Sequence, residues 1–168
     1  MSEATRRSTV GKTKFAKDNE YYTPRYVVDY FGQFDYDPAT VKEKAEDFNI
    51  KEFDTIDTDG LATDWTKFKR IWINPPFTKK AEFIKKAQET YDAAKNEIYV
   101  LFPIEFLTTK RFRDSCRGGC LFIPDGRINF ESGLGKSGKS PAFGSVVLKL
   151  QDTNEIKYIS FKNLKEQS

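Results

Sequence analysis

The residues best suited to chemistry form one short loop, Asn74-Pro75-Pro76-Phe77, which directly follows the apolar run Arg70–Ile73. Two consecutive prolines exclude helix and further strand pairing, which predicts a rigid loop at the end of a strand, or simply an ordinary turn. A rigid amide oxygen and a rigid main-chain carbonyl can each accept one N–H of an aromatic amine and localise its lone pair. Asn74 would supply the amide oxygen and Pro75 the carbonyl. Pro76 would fix the loop, and Phe77 would stack on the aromatic ring.

The chain contains no histidine, and this absence limits the reactions that it can catalyse. Ser-His-Asp and Cys-His catalysis, a histidine general base and histidine-ligated zinc or iron are all excluded. The two cysteines, Cys116 and Cys120, are four residues apart without a second pair. We therefore expect buried or idle thiols and no metal site.

The elements around the loop predict a parallel sheet. The run Arg70–Ile73 is typical of a buried strand, residues 79–94 carry apolar side chains at helical spacing, and residues 98–102 form a second buried strand. Strand, helix and strand in succession favour a right-handed βαβ unit. We therefore expect a shortened Rossmann-like α/β fold with a mixed, largely parallel sheet. The loop would lie at the carboxyl edge, where such sheets bind ligands.

The remaining elements follow from local patterns. Thr23 and Pro24 are typical of the N-cap and first position of a helix that ends at Gly32. Apolar patterning assigns the other segments: strands at 34–37, 121–123, 127–130, 143–150 and 156–161, and helices at 39–47 and 106–114. Residues 133–140 match G-x-x-x-x-G-K-S, but the β-patterned sequence that follows argues against a phosphate-binding loop, which requires a helix there.

Composition and charge indicate one soluble domain with a basic arm. A length of 168 residues fits a single domain. Residues 1–17 hold five basic side chains against one acidic side chain, so we interpret residues 1–18 as a flexible arm and 19–168 as the folded domain. No apolar run approaches membrane-spanning length and the N-terminus lacks a secretory signal, so we expect a cytoplasmic protein without membrane contact.

Six short motifs lie between residues 19 and 150: Tyr21-Tyr22-Thr23-Pro24, Phe34-Asp35-Tyr36-Asp37-Pro38, Asp59-Gly60-Leu61 with Asp64-Trp65, Asn74-Pro75-Pro76-Phe77, Gly126-Arg127-Ile128 with Phe130, and Ser140-Pro141-Ala142-Phe143 with Ser145. Their order and combination resemble the phage Dam-type DNA N6-adenine methyltransferases. The resemblance implies a Rossmann-like methyltransferase fold, S-adenosylmethionine as the cofactor, DNA as the partner and adenine N6 as the methyl acceptor. It also implies a phage or prophage origin.

The resemblance assigns roles to particular residues. Thr23 and the helix start at Pro24 would bind the methionine carboxylate of the cofactor, which suits a helix N-terminus. Asp35 or Asp37 would grip the ribose hydroxyls, and Asp64 would approach the cofactor's adenine, with solvated turn carboxylates as the alternative. The target adenine would be flipped out of the duplex. One departure is that the Phe-x-Gly-x-Gly loop of most methyltransferases is absent.

Several side chains are candidates for contact with DNA. The predicted nucleic-acid-binding residues are Lys110, Arg111, Arg113, Arg127, Phe130, Lys136 and Lys139. The first three form a cluster with Arg117, or simply a solvated helix face. Arg127 would contact a phosphate or pair with an aspartate, and Phe130 and Phe143 would flank the flipped base or belong to the core.

Three functions are consistent with the sequence. The first is methylation of adenine N6 in DNA. The second is methylation of another planar amine, such as cytosine N4, RNA adenine N6 or a glutamine amide, because the same loop serves these reactions. The third is a catalytically silent nucleic-acid-binding module that uses only the basic arm and the stacking aromatic side chains.

Overall fold

The computed structural model describes residues 21–133, 136–137 and 141–162. The predicted arm, Lys139 and the side chain of Lys136 lie outside this part of the chain. The strands among the described residues are β1 (Tyr36–Asp37), β2 (Glu52–Phe53), β3 (Arg70–Ile73), β4 (Glu97–Pro103), β5 (Gly119–Pro124), β6 (Glu131–Gly133), β7 (Lys136–Ser137), β8 (Ser145–Leu150) and β9 (Glu155–Ile159).

Seven of these strands in the described chain form one sheet in the order β2-β1-β3-β4-β8-β5-β9. Neighbouring strands are parallel except around β8, which runs antiparallel to both β4 and β5. Strands β6 and β7 form a separate antiparallel pair. The predicted Rossmann-like α/β fold with a mixed, largely parallel sheet is confirmed. Because β8 is reversed, its first residue lies at the same edge as the last residues of β3 and β4.

Four α-helices accompany the sheet in the described residues: α1 (Arg25–Phe31), α2 (Lys42–Asp47), α3 (Lys80–Ala94) and α4 (Lys110–Ser115). Short 3₁₀ turns span Gly60–Ala62, Trp65–Lys67, Phe77–Lys79 and Ile104–Thr108. The predicted βαβ unit is confirmed, because α3 connects β3 to β4 and these strands pair in parallel from Arg70 opposite Glu97 to Ile73 opposite Val100. This unit holds the Asn74 loop between β3 and α3.

The sheet is covered on both faces. Side chains of β3 alternate between them, as the pleat of a strand requires. Ile71 and Ile73 pack in the layer that contains α3, whereas Trp72 packs in the layer that contains Val27 and Val28 of α1. Burial on both faces explains the continuous apolar sequence of β3. The strand before the loop is therefore rigidly held.

The predicted N-cap of α1 is wrong by one residue. The helix begins at Arg25, with Pro24 at the N-cap position and without a side-chain capping bond. Thr23 lies one residue before the N-cap position, and its hydroxyl accepts a hydrogen bond from Asn74. The predicted end at Gly32 is confirmed, and its φ of 99° is one that glycine adopts readily.

Two further segments differ from the prediction. Residues 127–130 form no strand, and β6 begins only at Glu131. Their apolar alternation reflects the burial of Ile128 and Phe130 in the core from an irregular segment. The helix predicted at 106–114 is divided at Thr109, whose side chain accepts a hydrogen bond from the Phe112 N–H and thereby starts α4.

Both cysteines are buried and free. Among the described residues, no group of three or more His, Cys, Asp or Glu side chains is placed to hold a metal ion. None of the helices in the same part of the chain combines the length and apolar character that a bilayer crossing requires.

Candidate active site

The side chain of Asn74 is held in one orientation. Its Nδ2 donates hydrogen bonds to the Tyr21 carbonyl at 2.7 Å and to the Thr23 hydroxyl at 3.0 Å. Since a carbonyl can only accept, the amide nitrogen must face this segment and the amide cannot be turned over. Both N–H groups are thereby used. Oδ1 accepts no hydrogen bond from any residue in the described chain, so it can accept one from a ligand.

The segment that holds Asn74 is itself anchored. Tyr22 exchanges two main-chain hydrogen bonds with Glu131, at 3.1 and 2.9 Å. Lys44, which is only 2% exposed, donates to the Thr23 carbonyl at 3.3 Å and forms an ion pair with Glu131. Removing one partner of a buried ion pair is strongly destabilising. The orientation of the Asn74 amide therefore depends on contacts from α2 and β6.

Two cavities meet at Asn74. The first, of about 400 Å³, is lined by residues including Thr23, Asp37 and Lys44, and its size is typical of a small-molecule site. The second, of about 30 Å³, is enclosed largely by aromatic rings and has room for roughly one water molecule. We call them the large cavity and the aromatic cavity. Asn74 and Tyr21 line both.

The large cavity contains a buried carboxyl group. Asp37, at the end of β1, is 2% exposed, and its Oδ1 accepts a hydrogen bond from the Ala39 N–H at 3.0 Å. Burial raises the pKa of Asp37 to about 7, although the bond from Ala39 opposes this shift. Its Oδ2 has no hydrogen-bond partner within the described part of the chain. A ligand hydroxyl or ammonium group in this cavity would supply one.

The aromatic cavity is built from rings in edge contact. The ring centroids of Tyr21 and Phe77 are 5.0 Å apart, those of Tyr21 and Phe130 5.7 Å, and those of Phe77 and Phe143 5.4 Å. Phe130 is 4% exposed and packs in the core, so it is both a core residue and a wall of the cavity. These rings must separate to admit another planar ring between them.

Lys80 places a positive charge in the wall of the aromatic cavity. Its Nζ donates to the Phe77 carbonyl at 3.0 Å and lies 5.1 Å from the centre of the Phe106 ring. Burial, and then the charge of Arg111, lower the pKa of Lys80. This contact ties the end of the loop to the start of α3.

Two predicted cofactor residues lie elsewhere. Asp35 precedes β1 at the opposite edge of the sheet, where its carboxylate accepts hydrogen bonds from the Lys69 and Arg70 N–H groups at 2.9 and 2.8 Å. Asp64 is exposed and caps the turn that starts at Trp65, and its hydrogen bonds from Thr66 lower its pKa. Of the two aspartates considered for the ribose, the geometry therefore favours Asp37.

The predicted basic cluster is exposed on and after α4: Lys110, Arg111, Arg113 and Arg117. Lys110 is paired with Asp114 at 2.7 Å, and Arg117 makes two contacts with the Asp92 carboxylate. Arg111 and Arg113 take part in no ion pair within the described chain. They are therefore the members of the cluster best able to meet a phosphate.

Arg127, Lys136 and Lys139 complete the predicted DNA contacts. Arg127 is exposed and donates to the Pro141 carbonyl at 3.2 Å, so among the described residues it bonds a carbonyl and not an aspartate. Lys136 belongs to β7, and Lys139 lies outside the described residues. Contact with phosphates stays a prediction for all three.

Comparison with known proteins agrees with the motifs. Residues 11–168 match the family described as DNA N-6-adenine-methyltransferase (Dam). The chain belongs to the Dam family. The resemblance inferred from the six sequence motifs is thereby confirmed, and the Asn74 loop with its two cavities lies inside the matched region.

One relative of this Dam family chain is the DNA N-6-adenine-methyltransferase of Escherichia phage T1. The two are 33% identical over 87 residues, which amount to 49% of this chain and 35% of the relative. The chain therefore matches about a third of the length of that relative.

Three contributors to the site could not be predicted from the sequence. The Tyr21 carbonyl orients Asn74, Lys44 braces the segment that supplies this carbonyl, and Lys80 holds Phe77. Tyr21 belongs to one of the six motifs, but a main-chain acceptor leaves no trace in residue type. Lys44 and Lys80 lie in charged helical sequences, where lysine normally indicates an exposed position.

The buried carboxyl of Asp37 predicts a pH-dependent stability difference. Because burial raises its pKa from 3.8 to about 7, the folded chain holds a proton that the unfolded chain releases. The stability that this proton favours is present near pH 4 and is lost as the pH rises towards 7. Asp37→Asn keeps an acceptor for Ala39 and removes the charge. We expect it to raise the free energy of unfolding at pH 8 by up to about 4 kcal/mol, with little gain at pH 4.

Urea unfolding at pH 4, 6 and 8 measures this difference. The matched control is Asp57→Asn, at an exposed loop position, which should show no gain that grows with pH. Equal stability of Asp37→Asn and the unchanged chain at all three pH values would contradict the burial argument.

Proposed function

We propose that the chain is an S-adenosylmethionine-dependent DNA methyltransferase that transfers a methyl group to N6 of an adenine flipped out of the duplex. The observation that carries the proposal is the fixed Asn74 amide between a large cavity and an aromatic cavity. A methyl donor on one side and an amine on the other would meet at its oxygen. Membership of the Dam family and the phage relative support DNA adenine as the substrate and a phage or prophage origin.

The large cavity suits the cofactor. Its volume of about 400 Å³ matches a small-molecule site, and the buried Asp37 carboxyl with its open Oδ2 fits the ribose hydroxyls. Thr23 borders the same cavity, and with the nearby start of α1 it would receive the methionine part. The cofactor supplies an electrophilic methyl group on a sulfonium.

The aromatic cavity suits the base. An adenine inside a duplex cannot reach Asn74, so it must leave the stack at a cost of about a few kcal/mol. The closed cavity of about 30 Å³ is too small for a purine, so the base would take its place by parting the rings of Tyr21, Phe77 and Phe143. Stacking on these rings offsets part of the cost of flipping.

Asn74 makes the amine reactive. Its Oδ1 accepts one N–H of the adenine amino group and the Pro75 carbonyl accepts the other, which withdraws the lone pair from the ring. With the cofactor bound, this nitrogen would be placed to attack the methyl group that the cofactor supplies, and the electron pair of the carbon–sulfur bond would stay on sulfur. The positive charge that develops on nitrogen is stabilised by the same two oxygens until a proton leaves to solvent. The bonds from Tyr21 and Thr23 keep Oδ1 in place throughout, so little reorganisation is needed.

Transfer of labelled methyl groups from S-adenosylmethionine tests the function. The unchanged chain is incubated separately with duplex DNA, RNA and protein, and the labelled base is identified after digestion. The proposal predicts N6-methyladenine in DNA. If the label is found only in cytosine, RNA or protein, the proposal is wrong and the chain methylates another planar amine. If the chain binds DNA tightly but transfers no label, the proposal is wrong and the chain is a catalytically silent nucleic-acid-binding module.

Asn74→Ala tests the role of the amide. We expect the variant to lose at least about a hundredfold in turnover, because one preorganised acceptor of the transition state is removed, while its melting temperature stays close to that of the unchanged chain. The matched control is Asn154→Ala at the opposite edge of the sheet, where Asn154 accepts from the Gly119 N–H. Single-turnover kinetics measures both. Undiminished turnover in Asn74→Ala would overturn the mechanism.

Arg111→Ala with Arg113→Ala tests the DNA surface. Each arginine that neutralises a phosphate contributes about 0.9 to the slope of log affinity against log salt. We expect the double variant to lower this slope by up to about 2 relative to the unchanged chain. The control is Lys42→Ala with Lys51→Ala. Both lysines are exposed and precede β2, the strand at one end of the sheet. Fluorescence anisotropy over a salt series measures the slope, and an unchanged slope would exclude phosphate contact by this pair.

A further inference from the structure

One polar side chain inside the aromatic cavity has no partner. Ser145 is the first residue of β8, is 4% exposed, and lines this cavity together with Asn74 and Pro75. No residue in the described chain forms a hydrogen bond with its hydroxyl. In that part of the chain, the side-chain nitrogen and oxygen atoms that are fully buried and lack a hydrogen-bond partner are Trp72 Nε1 and Asn96 Oδ1. Ser145 Oγ is not among them, so its open side faces the cavity.

The sheet fixes where Ser145 points. It lies opposite Pro103 in the antiparallel ladder between β4 and β8. Side chains alternate along β8, so Ser145 shares a face with Val147, which packs in the same layer as Leu101 and Phe130. Leu101 and Phe130 also line the aromatic cavity. The serine is therefore the residue through which β8 borders the cavity, next to the apolar side chains of Leu101 and Phe130.

Stability alone does not account for a hydroxyl at this position. Burying a hydroxyl without a hydrogen-bond partner lowers stability, and alanine would fill nearly the same volume without that loss. The missing partner is expected to come from the molecule that occupies the cavity. Asn74 lines the same space, so that molecule would also meet the Asn74 side chain.

The geometry points to Ser145 as a residue that recognises the target base, its hydroxyl donating a hydrogen bond to a ring nitrogen beside the amino group. This inference rests on the proposed function. Asn74 and Pro75 accept the two N–H groups of the amine, and an adenine carries an acceptor nitrogen on each side of that amine, N1 and N7. Ser145 reaches the amine's neighbourhood from β8, whereas Asn74 reaches it from β3. Ser145 thus recognises the base through a ring nitrogen, and Asn74 activates the amino group of the base.

Base analogues that lack one ring nitrogen test this assignment. The substrate is a duplex with the target adenine, once mapped, replaced by 1-deazaadenine or by 7-deazaadenine. The enzymes are the unchanged chain, Ser145→Ala, and Ser160→Ala as a control at an exposed serine. Initial rates give kcat/KM for each enzyme on each base. Comparing enzymes on the same base cancels the intrinsic reactivity of the analogue.

We expect Ser145→Ala to lower kcat/KM on adenine about three- to tenfold, the usual effect of one neutral hydrogen bond. On one of the two analogues the variant and the unchanged chain should be equal, because the partner is already missing. Ser160→Ala should match the unchanged chain on every base. The melting temperature of Ser145→Ala should not fall, since its hydroxyl has no partner in the described chain.

Two results would overturn the inference while leaving the proposed function intact. One is equal activity of Ser145→Ala and the unchanged chain on adenine. The other is a loss by the same factor on all three bases, which would indicate packing and not recognition. If the unchanged chain transfers no methyl group to any DNA base, the proposed function fails and takes this inference with it.

Discussion

The site depends on one constraint, which is that the Asn74 amide cannot rotate. An amide presents an oxygen or a nitrogen according to which way it turns, and only the oxygen can accept an N–H from an amine. The Tyr21 carbonyl, which is an acceptor alone, decides between the two. The prolines hold the main chain of the loop, and the Tyr21–Thr23 segment holds the side chain. Both parts are needed, because a rigid main chain leaves the last torsion of asparagine free.

The fold delivers polar groups from three strands to one sheet edge. Asp37 ends β1, Asn74 follows β3, and Ser145 starts the reversed strand β8. The two parallel strands bring their carboxyl ends to this edge, and the reversal of β8 brings its amino end there as well. Asp37 and Ser145 are buried without full hydrogen bonding inside the described chain. Such groups cost stability unless a ligand satisfies them, so the edge is organised for binding.

Much of the fold and the Asn74-Pro75-Pro76-Phe77 loop could be predicted from sequence. The βαβ unit from Arg70 to Phe102 follows from local periodicity, because a buried parallel strand and an amphipathic helix have distinct patterns. The loop follows from the two prolines. The prediction of a strand at 127–130 was wrong. Ile128 and Phe130 are both buried in an irregular segment, and their spacing is the same as that of buried residues in a strand. Periodicity reports burial, and burial does not require a ladder.

Contacts between distant segments could not be predicted. Thr23 has the residue type and position of an N-cap, and only the approach of Asn74, 51 positions away, shows that its hydroxyl is used elsewhere. Asp35 and Asp37 flank one residue and look equivalent in sequence. The two side chains lie at different edges of the sheet. Asp35 precedes β1 at one edge, where it bonds to the Lys69 N–H, and Asp37 ends β1 at the other edge. Such choices depend on tertiary structure.

The central claim is that the Thr23 hydroxyl helps to hold the Asn74 amide in its reactive orientation. Thr23→Val removes the acceptor at nearly constant volume, and Thr23→Ser keeps it. The direct measurement is the single-turnover rate of methyl transfer with DNA and S-adenosylmethionine both saturating, so that weaker cofactor binding does not enter. The account predicts that valine slows transfer about tenfold or more and that serine restores most of the rate. A valine variant as fast as the unchanged chain would contradict it.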